Sequence, residues 1–252
     1  MISPAQRLSY LKQFDLRGFF LLPEPQLAEQ EALYSFINEK WRRLILESHP
    51  QLEDELSRHD VSKYHNFSDH LDHASFWTKS RRLFSQKEVA YLVESQSVFS
   101  HLKYVFGRYT IEDIEGIGYP EIYWRLVRPN MLGDVSPPHK DTWFWSLTNN
   151  MTTARQEGLV KIWLPIVSCT QGCGLAVAPS SHLVEIPFSG EYRHGRVKPA
   201  VNSKDLDKLT LEHVPLQVGQ AIVFDKELLH QGVSHHEDIT RVSLEFSIRT
   251  YT

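Results

Sequence analysis

Glu121-Ile122-Tyr123-Trp124-Arg125-Leu126-Val127 is the stretch that decides the fold. It lies just past Gly116 and packs β-branched and aromatic residues into a short run, which predicts a strand. Stretches 142–147, 159–164, 175–178, 210–214, 221–224 and 242–248 read the same way. Pro, Gly, Asn and Ser turns separate them. Many short strands with turn signals between them predict a sandwich or barrel.

Upstream of Gly116 the period changes. Between 26 and 46, Leu27, Leu33, Phe36, Ile37, Trp41 and Leu44 recur at three- and four-residue spacing, which predicts a helix. Ser85-Gln86-Lys87-Glu88 has the capping-box form and opens a helix running to Phe106, ended by Gly107. Arg17-Gly18-Phe19-Phe20-Leu21-Leu22 reads as a short strand closed by Pro23. Residues 48–79 are polar and carry His49, His59, His65, His70 and His73 at irregular spacing. That stretch reads as a solvated loop with short helical pieces, and its length makes it a candidate lid. No linker divides the chain. The expectation is one domain over 1–252, mainly β (α+β), with 1–115 as helical support and 116–252 as the core that carries the site.

Composition excludes several classes. The 252 residues carry a formal net charge of −4, so there is no basic footprint for nucleic acid. Mean hydropathy is −0.35, and no 18-residue apolar run suggests a membrane span. The first residues lack a signal-peptide apolar core. The two cysteines, Cys169 and Cys173, read as reduced thiols beside a turn, and a cytoplasmic location is expected.

The chemistry concentrates in two places. Pro137-Pro138-His139-Lys140-Asp141-Thr142-Trp143 contains an H-x-D, and His230-Gln231-Gly232 is followed by Arg241. On a strand, residues i and i+2 share a face, so His139 and Asp141 can grip one metal from one strand end. A third ligand, His230, can then arrive from a neighbouring strand. Two imidazoles and one carboxylate form the facial set that holds non-haem Fe(II) and leaves positions open. A return strand would bring Arg241 to the same cavity, where its planar guanidinium suits a carboxylate. H-x-D alone is weak. His70-Leu71-Asp72, His235-His236-Glu237 and His236-Glu237-Asp238 also match H-x-[DE], but the first lies in a polar, helix-like stretch far from any alternating pattern, and the other two sit in a charged turn with no His downstream. Three further candidates lie beside the site and would meet a small-molecule substrate. Tyr123 and Arg125 alternate on the strand before the H-x-D, and Trp143 would line the cavity while Phe144 packs outside. Arg128 competes with Arg125 for the inward position. Tyr123, Trp124, Trp143 and Trp145 would make an aromatic mouth.

With these residues in view, the chain resembles the phytanoyl-CoA dioxygenase-like branch of the Fe(II)/2-oxoglutarate oxygenases. The resemblance rests on H-x-D…H…R and on Val160-Lys161-Ile162-Trp163-Leu164-Pro165-Ile166. It also rests on Gly172-Cys173-Gly174-Leu175-Ala176-Val177-Ala178-Pro179-Ser180-Ser181-His182, and on Gly219 to Asp225 leading to Leu228-Leu229-His230. It implies a double-stranded β-helix, jelly-roll or cupin-like, buttressed by the N-terminal helices. It implies Fe(II) on His139, Asp141 and His230, with 2-oxoglutarate anchored by Arg241 and O2 as co-substrate. The implied reaction hydroxylates a sugar, amino-acid derivative or natural-product intermediate and releases succinate and CO2. An Asp at 141 implies hydroxylation or a related oxidation rather than halogenation. Two positions depart from the pattern. Ser180 replaces the usual Gly, and Gly232 stands where many members have a hydroxyl residue, leaving Thr142 as the substitute. Two alternatives stand beside this reading: a cupin-type metalloenzyme without 2-oxoglutarate, and a non-catalytic ligand-binding barrel.

Overall fold

The computed structural model describes residues 2–148, 156–169, 174–193 and 196–251. Its strands are β1 Phe19–Leu21, β2 Tyr109–Ile111, β3 Ile122–Val127, β4 Leu159–Val167, β5 Gly174–Val177, β6 Phe188–Arg193, β7 Arg196–Val201, β8 Glu212–His213, β9 Ile222–Asp225, β10 His230–Val233 and β11 Arg241–Thr250. The longer helices are α1 Pro4–Arg17, α2 Leu27–Ser48, α3 Gln86–Ser95, α4 Ser97–Phe106 and α5 Asp141–Thr148.

Every strand pairing is antiparallel. The major sheet runs β1-β9-β4-β11, and the far edge of β11 is shared by β3 and β2. A minor sheet runs β10-β5-β8, and β6-β7 form a separate hairpin. Strand alternation splits the major sheet into two faces. Val242, Leu244, Phe246 and Ile248 of β11 join Ile122, Trp124 and Leu126 of β3 and Val160, Ile162 and Leu164 of β4 in the main core. Leu33, Ile37 and Trp41 of α2, Leu92 of α3 and Leu102 of α4 cover that face. The opposite face looks toward the minor sheet, where Trp163, Ile222 and Phe224 pack on Leu175 and Val177. This is the expected jelly-roll architecture, a double-stranded β-helix buttressed by N-terminal helices.

Four local expectations need correction. Residues 142–147 are helical, not extended: Asp141 opens α5. The helix expected over 85–106 is two helices, because Gln96 is extended (φ −107°, ψ 126°) and Glu29 accepts a hydrogen bond from the Ser97 N–H at 2.5 Å. Residues 48–79 are not a solvated loop. Leu56, Val61, Tyr64, Phe67, Leu71 and Phe76 enter the main core, and short helical turns carry them. Finally, Cys169 is disulfide-bonded rather than reduced, while Gly172 and Cys173 lie outside the described residues. The expected reducing compartment therefore loses its thiol argument. Helix α1 and the β6-β7 hairpin were not anticipated; α1 is set by a Ser3 capping box with Pro at its start.

No helix is long and apolar enough to cross a membrane among the described residues.

Candidate metal centre

His230 opens β10, and His139 forms an isolated antiparallel bridge with it. The two backbones exchange both hydrogen bonds, His139 N–H to His230 O at 2.9 Å and the reverse at 3.0 Å. The imidazoles are thereby placed side by side, with ring centroids 4.3 Å apart. Asp141 is held by its own N–H, which donates to Lys226 O at 3.1 Å. Ligand atoms of His139, Asp141 and His230 all lie within 4.8 Å of one another.

The imidazoles are oriented for a metal. A carbonyl can only accept, so His139 Nδ1–H donates to Pro137 O at 2.7 Å and His230 Nδ1–H donates to Leu228 O at 2.9 Å. Each Nε2 is left with its lone pair free, the arrangement that metal-binding histidines use. Burial, reinforced by the neighbouring His230, pushes the His139 imidazole down to about 3. It is therefore neutral at working pH. Phe144 and Phe224 set ring edges against His139 and His230 at 4.9 and 4.8 Å. The β10 strand is steadied by Ser181, a fully buried hydroxyl that accepts the Leu229 N–H at 2.8 Å.

Arg241 begins β11 and points inward, only 4% exposed. It donates to Gly174 O at 2.6 Å and Val233 O at 3.2 Å, over the Trp163 ring. Its Nε has no partner, and no carboxylate pairs with it among the described residues. Burial, helped by the nearby Arg125, lowers its pKa to about 10. Residues 61–66 are pinned next to it: Thr240 N–H donates to Ser62 O, and the Thr240 hydroxyl accepts from the His65 N–H at 3.0 Å.

The remaining candidates divide. Tyr123 and Arg125 point inward from β3, and Arg125 pairs with Glu245 across the sheet. Burial opposes the Glu245 charge, yet Arg125 overrides it and holds the carboxyl at about 2. Arg128 instead makes a two-pronged bond with Asp134 away from the triad. Thr142 is buried with its hydroxyl unpartnered. Trp143 is not brought to the triad; it stacks on Phe188 at 4.8 Å. The expected roles of Trp143 and Phe144 are reversed for a simple reason. At about 100° per residue, a helix puts i+2 nearly opposite and i+3 close to the same face. The aromatic mouth also dissolves, since Trp124 lies in the main core and Trp145 packs on Leu159.

Sequence reading missed Lys161, whose ammonium is 3.8 Å from Asp141 Oδ1, and it missed Glu245 and Ser247. The signal was available: each is a polar residue inside a strand otherwise read as apolar. The two departures now have physical accounts. Ser180 sits in the left-handed region (φ +64°) that favours glycine, and its hydroxyl donates to Leu16 O at 2.8 Å. A Cβ at Gly232 would lie 3.2 Å from the Val135 Cβ, so a hydroxyl residue there would crowd Val135.

The phytanoyl-CoA dioxygenase (PhyH) family matches residues 28–243, most of the chain. The chain belongs to the phytanoyl-CoA dioxygenase family. It is accordingly a non-haem Fe(II)- and 2-oxoglutarate-dependent dioxygenase, and its His-Asp-His cluster has the donor set this iron requires. Solved structures share the fold. EctD from S. alaskensis, solved with 2-oxoglutarate and 5-hydroxyectoine, is 12% identical with a TM-score of 0.58, covering 99% of this chain and 76% of its own. The epimerase SnoN, solved with Fe3+, alpha-ketoglutarate and nogalamycin RO, is 14% identical with a TM-score of 0.58, over 98% and 85%. AviO1 from Streptomyces viridochromogenes Tue57 is 14% identical with a TM-score of 0.54, over 99% and 96%. No curated protein matches the sequence significantly.

Proposed function

We propose that this family member hydroxylates a small-molecule substrate while 2-oxoglutarate is converted to succinate and CO2. His139, Asp141 and His230 would hold the iron, Arg241 would pair with the distal carboxylate of 2-oxoglutarate, and the Thr142 hydroxyl would add a hydrogen bond. Held there, Fe(II) would supply O2 activation with 2-oxoglutarate as its co-substrate. The protein's own part is orientation and dryness: two Nδ1–H bonds aim the imidazoles, and Phe144 and Phe224 shield them.

One observation carries this reading above the alternatives. Arg241 is a buried guanidinium with no carboxylate partner among the described residues and an unbonded Nε. An uncompensated buried charge is costly, so the site is built for an anion that arrives with the reaction. A metalloenzyme without 2-oxoglutarate needs no such dicarboxylate anchor. Asp141 Oδ2 and Thr142 Oγ1, also buried and unpartnered, mark further binding positions.

The test needs no substrate. Apo-protein is loaded anaerobically with Fe(II) and titrated with 2-oxoglutarate, following the visible charge-transfer band of the chelate. A saturable band, absent in Asp141→Ala, supports the reading. No band despite confirmed metal occupancy overturns it and favours the cupin-type or non-catalytic alternative.

A further inference from the structure

Beside the triad, three strands present adjacent polar side chains on the inner face of the major sheet. Tyr123 and Arg125 come from β3, Glu245 and Ser247 from β11, and Lys161 from β4. Register makes them neighbours: Tyr123 lies opposite Glu245, and Ser247 lies opposite Lys161. The patch is open to a ligand, since the Arg125 side chain keeps 41% of its exposure although it sits inside the fold. It is also incompletely satisfied. The Tyr123 and Ser247 hydroxyls are buried and unpartnered among the described residues, and the ammonium of Lys161 stands 3.8 Å from Asp141, beyond hydrogen bonding, while also acting on Glu245.

Charge decides what fits. Asp141 is committed once a metal binds, and its negative charge is then shared with a dication. Arg241 is matched by the distal carboxylate of 2-oxoglutarate. What remains facing the substrate is two cations, Arg125 and Lys161, against the carboxylate of Glu245. Glu115 and Glu121 also act on Tyr123, but Glu115 is paired with Lys79 and burial raises the Glu121 carboxyl to about 7. Arg82 adds a further positive contribution to Glu245. A neutral substrate would leave that surplus unmatched beside the iron, and a cationic one would increase it.

We propose that the substrate carries a carboxylate or another singly charged acid group, received by Lys161 and Arg125 with the Tyr123 and Ser247 hydroxyls as further hydrogen-bond partners. The inference rests on the proposed iron and 2-oxoglutarate roles, and it extends them to the substrate class.

The experiment uses the full chain as its anaerobic Fe(II)–2-oxoglutarate complex, at saturating co-substrate so that Arg241 is occupied. Benzoate, benzamide and benzylamine serve as probes, and each is titrated calorimetrically and by its effect on the chelate band. Benzoate is expected to bind about tenfold to a hundredfold more tightly than benzamide, as a charge-assisted contact implies. Benzylamine should bind weakest. Lys161→Gln should abolish the preference for the acid, and Lys161→Arg should retain it, each variant being compared at its own saturating 2-oxoglutarate concentration. Benzoate binding no tighter than benzamide, including no binding by any probe, overturns the proposal. So does a Lys161→Gln effect that falls on 2-oxoglutarate affinity instead of on benzoate. Loss of the band in the wild-type protein would instead overturn the iron and co-substrate reading, so the two failures are distinguishable.

Discussion

The two faces of the major sheet are made by the same strands and obey opposite rules. On β11 the outward residues Val242, Leu244, Phe246 and Ile248 are apolar and meet helices. The inward residues Arg241, Ser243, Glu245 and Ser247 are polar and meet the site. The outer face is held by burial, each large apolar side chain contributing about 1.5–3 kcal/mol, and of the residues named on it only Trp41 leaves a buried polar atom, its Nε1, without a partner among the described residues. The inner face is unfinished: hydroxyls, a guanidinium nitrogen and a carboxylate oxygen lie buried without partners. An unfinished polar face is what a protein keeps for a ligand. Stability and function are thus separated by one residue step along a strand.

That separation can be broken at known places. The largest effect belongs to the triad. Asp141→Ala should cut 2-oxoglutarate turnover by more than about a hundredfold, since even outer partners of metal ligands cost tenfold to a hundredfold. Circular dichroism should show the fold retained, and a collapse of the fold would contradict the separation. On the outer face, Phe246→Ala should cost about 3–5 kcal/mol in denaturant unfolding. Phe246 is buried and stacks on Phe99 at 5.2 Å. Arg241→Ala should weaken 2-oxoglutarate binding by about 2–5 kcal/mol with little loss of iron affinity, measured by titration of the chelate band.

A smaller effect is read from pH. Burial raises the Glu121 carboxyl to about 7, and the nearby Glu115 and Asp113 charges add to it, although the Glu115 N–H opposes the shift. A carboxyl with a raised folded-state pKa binds its proton more tightly when folded. Its contribution is present at low pH and is lost as pH rises from the ordinary carboxyl value through about 7. Glu121→Gln should therefore flatten the decline in stability across that window by about 1–3 kcal/mol, followed by thermal unfolding at several pH values. Smallest of all is Ser247→Ala. Its buried hydroxyl has no partner, so unfolding free energy should not fall and should rise by about 1 kcal/mol or less. Set against Phe246→Ala, one position away, this pair sharpens the comparison most directly.

Much of the site was legible because its chemistry demands particular residue types. His139, Asp141, His230 and Arg241 are recognisable as a set in order along the chain, and the structure gathers the first three into one cluster. What failed was local. The stretch after Asp141 is rich in Trp, Phe and Thr, all strand-favouring, and it folds as a helix because tertiary context overrides a weak propensity. Residues 48–79 looked solvated because their apolar residues are sparse, yet Val61, Tyr64 and Phe67 reach the core from short turns that no helical or strand period describes. Lys161 and Glu245 were passed over because a single charge in an apolar run reads as an edge, until the register shows which face it occupies.

The sequence by itself determined the ligand set, the alternation of the late strands and the helical front. Each follows from side-chain chemistry or from a period in the chain, and both are local. Tertiary structure alone decided that His139 bridges His230, that Phe144 rather than Trp143 turns toward the imidazoles, and that Arg125 and Lys161 share one recess with Glu245. Those relations depend on strand register and on the distances between residues far apart in the chain, which no local pattern encodes.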